Sequence, residues 1–283
     1  MEIIDGKKIA EKLINELREE VKKLKKPLRL AIVQVGNDAV TSSYLERKKK
    51  TGEEVGINVR IFEYPLDITT DKLRKQLAVI IHENKNTGVI IQLPLPEQIG
   101  VQYILNAVTP EKDVDMLSSR ALGNFITAKS HVLPPIAGAV KKIFEEYAVP
   151  YRDKRMVVVG AGRLVGRQIA LWLMSEDVGF SLVTENTQNT TEIIQEADII
   201  ISGVGKPGLI TGNMVKNGAV VIDAGTSNGG PSSASGQPAL LVGDTDFDSV
   251  SKKASFITPV PGGVGPLTVA MLFKNLIELS KKP

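Results

Sequence analysis

The amino-acid sequence predicts an α/β protein of two three-layer α/β domains with a cleft between them. The chain has 283 residues, and because domains commonly contain roughly 100 to 200 residues, two domains are expected. Short apolar runs of strand character alternate with amphipathic helical segments along most of the chain, a pattern typical of parallel sheets covered on both faces. In the C-terminal half, a glycine-rich turn opens a helix directly after one of these strands.

The N-terminal half predicts three helices alternating with three strands. The first helix shows apolar residues at spacings of three or four, as in Ile9, Leu13 and Leu17. The strand segments are short apolar runs instead. In chain order we expect a helix at 7–24, a strand at 28–36, a helix at 42–55, a strand at 57–64, a helix at 70–84 and a strand at 88–92.

The segment 93–135 is rich in proline and polar residues, and we place the connection between the domains within it. We therefore expect one domain at 1–135, rejoined by a terminal helix at 267–283, and a second domain at 136–266. The second series contains a helix at about 136–148 and strands at 156–160, 181–184, 197–202, 219–225 and 240–244.

Composition excludes several kinds of chemistry. The sequence contains no cysteine and two histidines, which excludes thiolate catalysis and disulfides and leaves little for a metal site. The net charge of +3 is too small to indicate nucleic-acid binding. No apolar stretch approaches the ~18–20 residues of a membrane helix, and no signal-peptide pattern opens the chain. We expect a metal-free cytoplasmic protein that binds neither nucleic acid nor membrane.

The glycine-rich turn at 160–166 indicates a nicotinamide dinucleotide site of the Rossmann type. Gly160 permits a tight turn, Gly162 lets the backbone approach a pyrophosphate, and the helix that follows presents its N–H groups. Gly166 comes one residue later than the last glycine of the common G-x-G-x-x-G pattern. The alternative is a glycine-rich turn that serves only helix–strand packing. The predicted contact residues of this turn are Gly160, Ala161, Gly162, Arg163, Val165 and Gly166.

Glu185 ends the next predicted strand, 19 residues beyond Gly166. An acidic side chain at this separation accepts the adenine ribose hydroxyls of NAD and repels the 2′-phosphate of NADP. Arg163 is the nearby cation that could accommodate that phosphate. The alternative for Glu185 is a solvated carboxylate at a strand end.

Two groups of residues in the first domain could carry chemistry. Tyr44 and Lys48 share one helix face, and a lysine beside a phenol can carry protons if burial lowers its pKa. Lys48 belongs to the basic run 47–50, whose other members we interpret as a solvated helix face. With spacing alone, a structural role for the Tyr44–Lys48 pair stays open.

The strand at 88–92 delivers Gln92 to the carboxyl edge of its sheet, where ligands of such folds bind. The prolines that follow in Gln92-Leu93-Pro94-Leu95-Pro96 end strand pairing and favour a cis peptide bond. Asp113 and Asp115 stand on a predicted loop, where ordinary turn chemistry is the alternative. The segment 258–268 is a rigid, side-chain-poor loop before the last helix, suited to a flat ligand.

In this order the segments resemble the methylenetetrahydrofolate dehydrogenase/methenyltetrahydrofolate cyclohydrolase family. The resemblance covers nearly the whole chain, and two of its motifs, QLPLP and PVPGGVGP, are long and unusual enough to make chance matching of both improbable. The matching segments are DGKKIA near the start, Tyr44-x-x-x-Lys48, QLPLP (92–96), KDVD (112–115), the turn at 160–166, GKPG (205–208), VIDAG (221–225), LVGD (241–244) and TPVPGGVGPLT (258–268).

The resemblance implies hydride transfer from methylenetetrahydrofolate to a nicotinamide, followed by hydrolysis of the methenyl product to formyltetrahydrofolate. Lys48 would assist water attack and proton transfer, Tyr44 would pack on the folate, Gln92 would hold Lys48, and Asp115 would bind the pterin amino edge. The domain at 1–135 would bind folate and the domain at 136–266 would bind NAD(P). A cytosolic homodimer is implied.

The implied contacts extend beyond these groups. The implied folate-binding residues are Tyr44, Gln92, Leu93, Pro94, Asp115, Pro261, Gly262 and Gly263. Glu185, Thr187, Gly203 and Thr226 would join the turn at 160–166 in the dinucleotide site.

Several residues depart from the family pattern. The family usually has VGRS in the phosphate loop, where this chain has Val-Gly-Ala-Gly at 159–162, and a CHS-like strand end, where it has Glu-Asn-Thr at 185–187. These changes favour NAD over NADP. Met116 replaces the glycine that follows KDVD, and residues 133–136 replace a PCTP-like stretch. A dehydrogenase without cyclohydrolase activity and a non-catalytic, nicotinamide-responsive binding protein are the alternatives.

Overall fold

The computed structural model describes residues 1–36, 39–228 and 241–281. The strands are β1 (Glu2–Ile3), β2 (Arg29–Val35), β3 (Asn58–Tyr64), β4 (Gly88–Ile91), β5 (Met156–Val159), β6 (Phe180–Val183), β7 (Ile199–Ser202), β8 (Val220–Asp223), β9 (Ser227–Asn228), β10 (Leu241–Val242) and β11 (Phe256–Ile257). The helices are α1 (Gly6–Val21), α2 (Ala39–Val55), α3 (Thr70–His82), α4 (Val101–Leu105), α5 (Ser119–Ile126), α6 (Pro135–Glu146), α7 (Gly166–Ser175), α8 (Thr190–Gln195), α9 (Phe247–Ser251) and α10 (Val264–Ser280), with a 3₁₀ turn at Gly212–Met214.

The chain divides into two compact units. The six-strand unit comprises Met1–Ala10 and Ile136–Thr268, and the three-strand unit comprises Glu11–Pro135 and Val269–Pro283. The sequence-based division assigns residues 1–10 to the first domain, whereas they group here with the second. The reason is that β1 pairs in parallel with β11, placing Glu2 opposite Phe256.

The six-strand unit contains a parallel sheet in the order β1-β11-β8-β7-β5-β6. From β5 the chain passes to β6 on one side and then to β7 on the other. The loops after β5 and β7 therefore meet at the topological switch point, where open α/β sheets bind ligands. Beneath it lies an apolar core that includes Val157, Ile200 and Val221, all nearly inaccessible to solvent.

The three-strand unit contains a parallel sheet in the order β3-β2-β4. The buried face of α3 packs on it through apolar residues, among them Leu73 and Leu77. The hydroxyl of Thr69 caps α3 by accepting a hydrogen bond from the backbone N–H of Lys72 at 3.3 Å. Helix α2 follows β2 and Gln92 follows β4, so both start from the carboxyl edge of adjacent strands.

The predicted fold class is confirmed, since both units are α/β with parallel main sheets. The strand expected at 240–244 is wrong in extent and place. Within that segment the described residues form only β10, which pairs antiparallel with β9 outside the six-strand sheet. Asp244 lies beyond β10: its carbonyl accepts a hydrogen bond from the N–H of Ile210 at 3.0 Å, and its side chain binds the loop after β7. None of the helices in the described ranges is long and apolar enough to cross a membrane.

Candidate active site

Lys48 is the buried member of the basic run on α2. Its side chain is only 8% exposed, whereas Arg47, Lys49 and Lys50 are exposed. The Lys48 Nζ donates a hydrogen bond to Gln92 Oε1 at 2.8 Å. The predicted solvated face therefore describes Arg47, Lys49 and Lys50, and Lys48 is the member of the run that is buried.

The amide of Gln92 is held in one orientation. Its backbone N–H donates to the carbonyl of Val33 at 2.8 Å, which extends the β2–β4 pairing by one residue. Its Nε2 donates to the carbonyl of Leu93 at 2.8 Å. With the nitrogen thus occupied, Oε1 is left to accept from Lys48. The peptide bond from Leu93 to Pro94 is cis, as the sequence favours.

Lys48 and Asp115 are electrostatically coupled. Burial lowers the pKa of the Lys48 ammonium, and the Asp115 carboxylate partly opposes this effect. Burial raises the pKa of Asp115 to about 6, against the opposing influence of Lys48. The site thus holds an amine and a carboxyl group that both change protonation closer to neutrality than they would in water.

The two carboxylates of KDVD have different environments. Asp113 is buried and accepts hydrogen bonds from the backbone N–H groups of Leu117 at 3.3 Å and Ser118 at 2.8 Å. The backbone of Asp113 also forms an isolated parallel β-bridge with Val89 of β4, which fixes the loop to the sheet. The turn interpretation therefore fits Asp113, and Asp115 is the carboxylate coupled to Lys48.

The remaining predicted folate contacts are distributed over both units. Tyr44 is half-buried, one helical turn before Lys48, and Leu93 packs against the core of the three-strand unit. Pro261, Gly262 and Gly263 belong to the six-strand unit instead. There Gly262 adopts a φ of +113°, a conformation that favours glycine.

The glycines of the turn after β5 differ in whether packing requires them. Gly160 adopts a φ of +94°. A Cβ on Gly166 would lie 1.8 Å from the Gly160 carbonyl oxygen, so packing alone accounts for this last glycine. Gly162 is exposed, and the nearest atom to a Cβ there would lie 3.8 Å away. Packing does not require Gly162, and its open backbone fits the approach of a pyrophosphate at the start of α7.

The other predicted dinucleotide contacts lie at strand ends of the same unit. Glu185 and Thr226 are exposed after β6 and β8. The Thr187 hydroxyl accepts a hydrogen bond from the backbone N–H of Thr184 at 2.9 Å and so shapes the turn that contains Glu185. A Cβ on Gly203 would lie 2.1 Å from Val165, which explains why the loop after β7 passes so close to the turn at 160–166.

Asn275, a buried polar residue of α10, is not among the predicted site residues. Its Nδ2 donates to the carbonyls of Val114 at 3.0 Å and Leu133 at 2.8 Å. Since Val114 precedes Asp115, this contact holds the Asp115 loop to the terminal helix. The only signal in the sequence is one asparagine within an apolar helical stripe.

Met116 stands in the left-handed region, with a φ of +57°, where the resembled family has glycine. Met116→Gly should relieve about 1–2 kcal/mol of backbone strain. It also removes a side chain that is 1% exposed, and such losses cost about 2–5 kcal/mol. We expect a net decrease of about 2 kcal/mol in the free energy of unfolding, measured in urea. Met116→Leu should cost less, and a glycine variant as stable as the original chain would contradict this balance.

Two family models match the chain, one in each half. The family model described as tetrahydrofolate dehydrogenase/cyclohydrolase, catalytic domain, matches residues 4–115. The model described as the NAD(P)-binding domain of the same family matches residues 134–283. The first match contains Lys48, Gln92 and Asp115, and the second contains the turn at 160–166.

Curated relatives and solved structures match over nearly the full length. The bifunctional protein FolD of Nautilia profundicola is 41% identical over 285 residues, covering 99% of this chain and 98% of its own. The crystal structure of the bifunctional enzyme FolD from Campylobacter jejuni has a TM-score of 0.91 at 34% identity, covering 99% of both chains. The Trypanosoma brucei dehydrogenase–cyclohydrolase, complexed with NADP and an inhibitor, has a TM-score of 0.92 at 33% identity, covering 99% of this chain and 97% of its own.

Proposed function

The chain belongs to the tetrahydrofolate dehydrogenase/cyclohydrolase family, and from this premise we propose which residues serve each of its two reactions. It oxidises methylenetetrahydrofolate to methenyltetrahydrofolate with a nicotinamide dinucleotide and hydrolyses the product to formyltetrahydrofolate, an interconversion of one-carbon folates. The observation that carries the assignment of residues is the buried Lys48–Gln92 hydrogen bond beside Asp115.

Lys48 serves the hydrolysis. Because burial lowers its pKa, its amine takes a proton from the water that attacks the methenyl carbon. The same group returns that proton to the ring nitrogen when the carbon–nitrogen bond breaks, while the hydroxyl on the carbon loses its own proton to solvent and becomes the formyl oxygen. Gln92 fixes the Nζ position through its Oε1, so the amine keeps one orientation through both transfers.

Asp115 and Tyr44 hold the folate. The ionised Asp115 carboxylate accepts hydrogen bonds from the amino edge of the pterin, and the Tyr44 ring packs on the folate. Leu93 and Pro94 contribute further folate contacts directly after β4.

The dinucleotide is bound by the six-strand unit and accepts the hydride. The residues assigned to it are Gly160, Ala161, Gly162, Arg163, Val165, Gly166, Glu185, Thr187, Gly203 and Thr226. Their glycine backbones receive the pyrophosphate, and Glu185 accepts the adenine ribose hydroxyls. We propose that NAD is preferred over NADP, and that the enzyme works as a homodimer in the cytoplasm. Sedimentation of the purified chain tests the homodimer.

The value of kcat/KM for hydrolysis should decrease as the pH falls through about 6, the raised pKa of Asp115. Above that pH the carboxylate is ionised and accepts hydrogen bonds from the pterin; below it, the protonated form binds this edge poorly. The decrease should approach about tenfold per pH unit. Asp115→Asn should be less active at all pH values, and its decrease should lie at a different pH, because the Lys48 amine then titrates without the carboxylate that raises its pKa. If the decrease of kcat/KM through pH 6 persisted unchanged in Asp115→Asn, the role given to Asp115 would be refuted.

One assay tests both activities. Purified protein is mixed with methylenetetrahydrofolate and NAD or NADP, and the reduced cofactor and the methenyl absorbance are followed separately. Reduced cofactor should form, and the methenyl absorbance should rise and then decay faster than without enzyme. Methenyl product that accumulates without enzymatic decay would remove the cyclohydrolase half, and absence of reduced cofactor would remove the dehydrogenase half.

A further inference from the structure

Asp244 is a buried carboxylate to which the established chemistry gives no role. It is 1% exposed and follows β10 in the motif LVGD. Its Oδ2 accepts hydrogen bonds from Ser202 Oγ at 2.6 Å and from the backbone N–H of Val204 at 2.7 Å. Its Oδ1 accepts from the N–H groups of Gly205 and Lys206, each at 2.8 Å. A carboxylate buried this deeply is stable only while such donors stay in place.

The four donors all lie at the end of β7 or in the loop that follows it, residues 203–206. This loop borders the turn at 160–166: the carbonyl oxygen of Gly203 lies 3.4 Å from where a Cβ on Gly160 would stand and 3.8 Å from that of Gly162. Moving the loop would leave the Asp244 carboxylate buried and unpaired. The loop is thereby fixed against the backbone that receives the pyrophosphate.

A second buried carboxylate joins this arrangement to the neighbouring strand. The backbone N–H of Asp244 donates to Asp223 Oδ1 at 3.1 Å. The packing is reciprocal, because a Cβ on Gly225 would lie 2.2 Å from the Asp244 carboxyl and a Cβ on Gly243 would lie 2.2 Å from Asp223 Oδ2. Two neighbouring motifs of the sequence, VIDAG (221–225) and LVGD (241–244), thus each contribute a carboxylate and the glycine that makes room for the other.

We infer that Asp244 is a positioning residue of the dinucleotide site, which holds the loop 203–206 in the conformation that binds the cofactor. The inference rests on the proposed assignment of the turn at 160–166 to the dinucleotide. Asp244 makes no contact with the reacting atoms; it acts through the three successive backbone N–H groups it binds. A loop that is fixed before binding loses less conformational entropy when the ligand arrives, so affinity is higher.

Asp244→Asn tests the inference without changing side-chain size. One carboxylate oxygen becomes an NH₂ group that must face backbone or hydroxyl donors, so the loop should shift. We expect the KM for the dinucleotide to rise about tenfold, the equivalent of losing one charge-assisted hydrogen bond. The KM for methylenetetrahydrofolate should change less than about twofold on this scale. Equilibrium binding of the dinucleotide alone, by calorimetry, should weaken in parallel.

Asp198→Asn is the matched control. Asp198 precedes the opposite end of β7, where it accepts from the backbone N–H of Arg155 at 2.9 Å and pairs with Lys216 at 2.5 Å. The Asp198→Asn variant should leave the KM values for the dinucleotide and for methylenetetrahydrofolate unchanged. Ser202→Ala removes one of the four donors and should raise the dinucleotide KM about threefold, which keeps the inference testable if Asp244→Asn fails to fold.

A folded Asp244→Asn whose dinucleotide KM and Kd match those of the original chain would overturn the inference, as would an equal rise in Asp198→Asn. If Asp244→Asn cannot be obtained folded, an unchanged dinucleotide KM in Ser202→Ala overturns it. An original chain that binds dinucleotide but reduces none would refute the proposed dehydrogenase function instead, and calorimetry would still decide the role of Asp244.

Discussion

Replacement of Lys48 by methionine is expected to lower kcat/KM for methenyltetrahydrofolate hydrolysis by about 10³-fold, within the range of a general acid–base group. Methionine keeps the length and apolar stem of the lysine but has no proton to give or accept. The Gln92 Oε1 that accepts from Nζ would also lose its donor. Methenyl product should therefore accumulate whenever the dehydrogenase reaction runs, as followed by its absorbance.

The basic run supplies its own controls. Lys49→Met and Lys50→Met make the same chemical change on the same helix, but at exposed positions. Both should hydrolyse the methenyl substrate at the original rate, which separates loss of a catalytic amine from loss of positive charge on α2. Hydrolysis by Lys48→Met at the rate of either control would disprove the role given to Lys48.

The position of Lys48 could have been read more fully from the sequence. Leu45, Lys48, Gly52 and Val55 recur at spacings of three and four, and all are buried in the structure. A lysine within an apolar stripe is a stronger signal than a lysine beside a tyrosine, because its burial has to be compensated by partners. The partner Gln92 was also predictable, since it ends a strand at the ligand-binding edge of the sheet.

Other features depend on contacts that no local pattern reveals. Strands β1 and β11 have two residues each, too few for a periodicity. They exist because β11 pairs with β8 and β1 pairs with β11. The different roles of Asp113 and Asp115 likewise emerge only when the loop folds back so that backbone N–H groups surround Asp113. Long-range packing, rather than local propensity, decides both.

The original chain is expected to use NAD with a kcat/KM at least tenfold above that for NADP, on the scale of about 1.4 kcal/mol per tenfold. Glu185 is exposed at the end of β6, where an ionised carboxylate accepts hydrogen bonds from ribose hydroxyls and repels a 2′-phosphate. Two unit charges about 4 Å apart interact by roughly 1 kcal/mol in water and by about 4 kcal/mol near a protein surface. A phosphate carrying more than one charge therefore suffices to produce this preference.

Combining Glu185→Ser with Ala161→Arg should shift the NADP-to-NAD ratio of kcat/KM by about 10- to 100-fold toward NADP. The first change removes the repelling carboxylate, and the second places a guanidinium, which can pair with a phosphate through two hydrogen bonds, in the half-buried turn at 160–166. Glu192→Ser removes an exposed acidic group elsewhere in the same unit and should leave the ratio unchanged, so a general charge effect is separated from a local one. An original chain that favours NADP tenfold or more would contradict the electrostatic role of Glu185, because a carboxylate at the ribose site cannot coexist with tight binding of the 2′-phosphate unless a cation neutralises it.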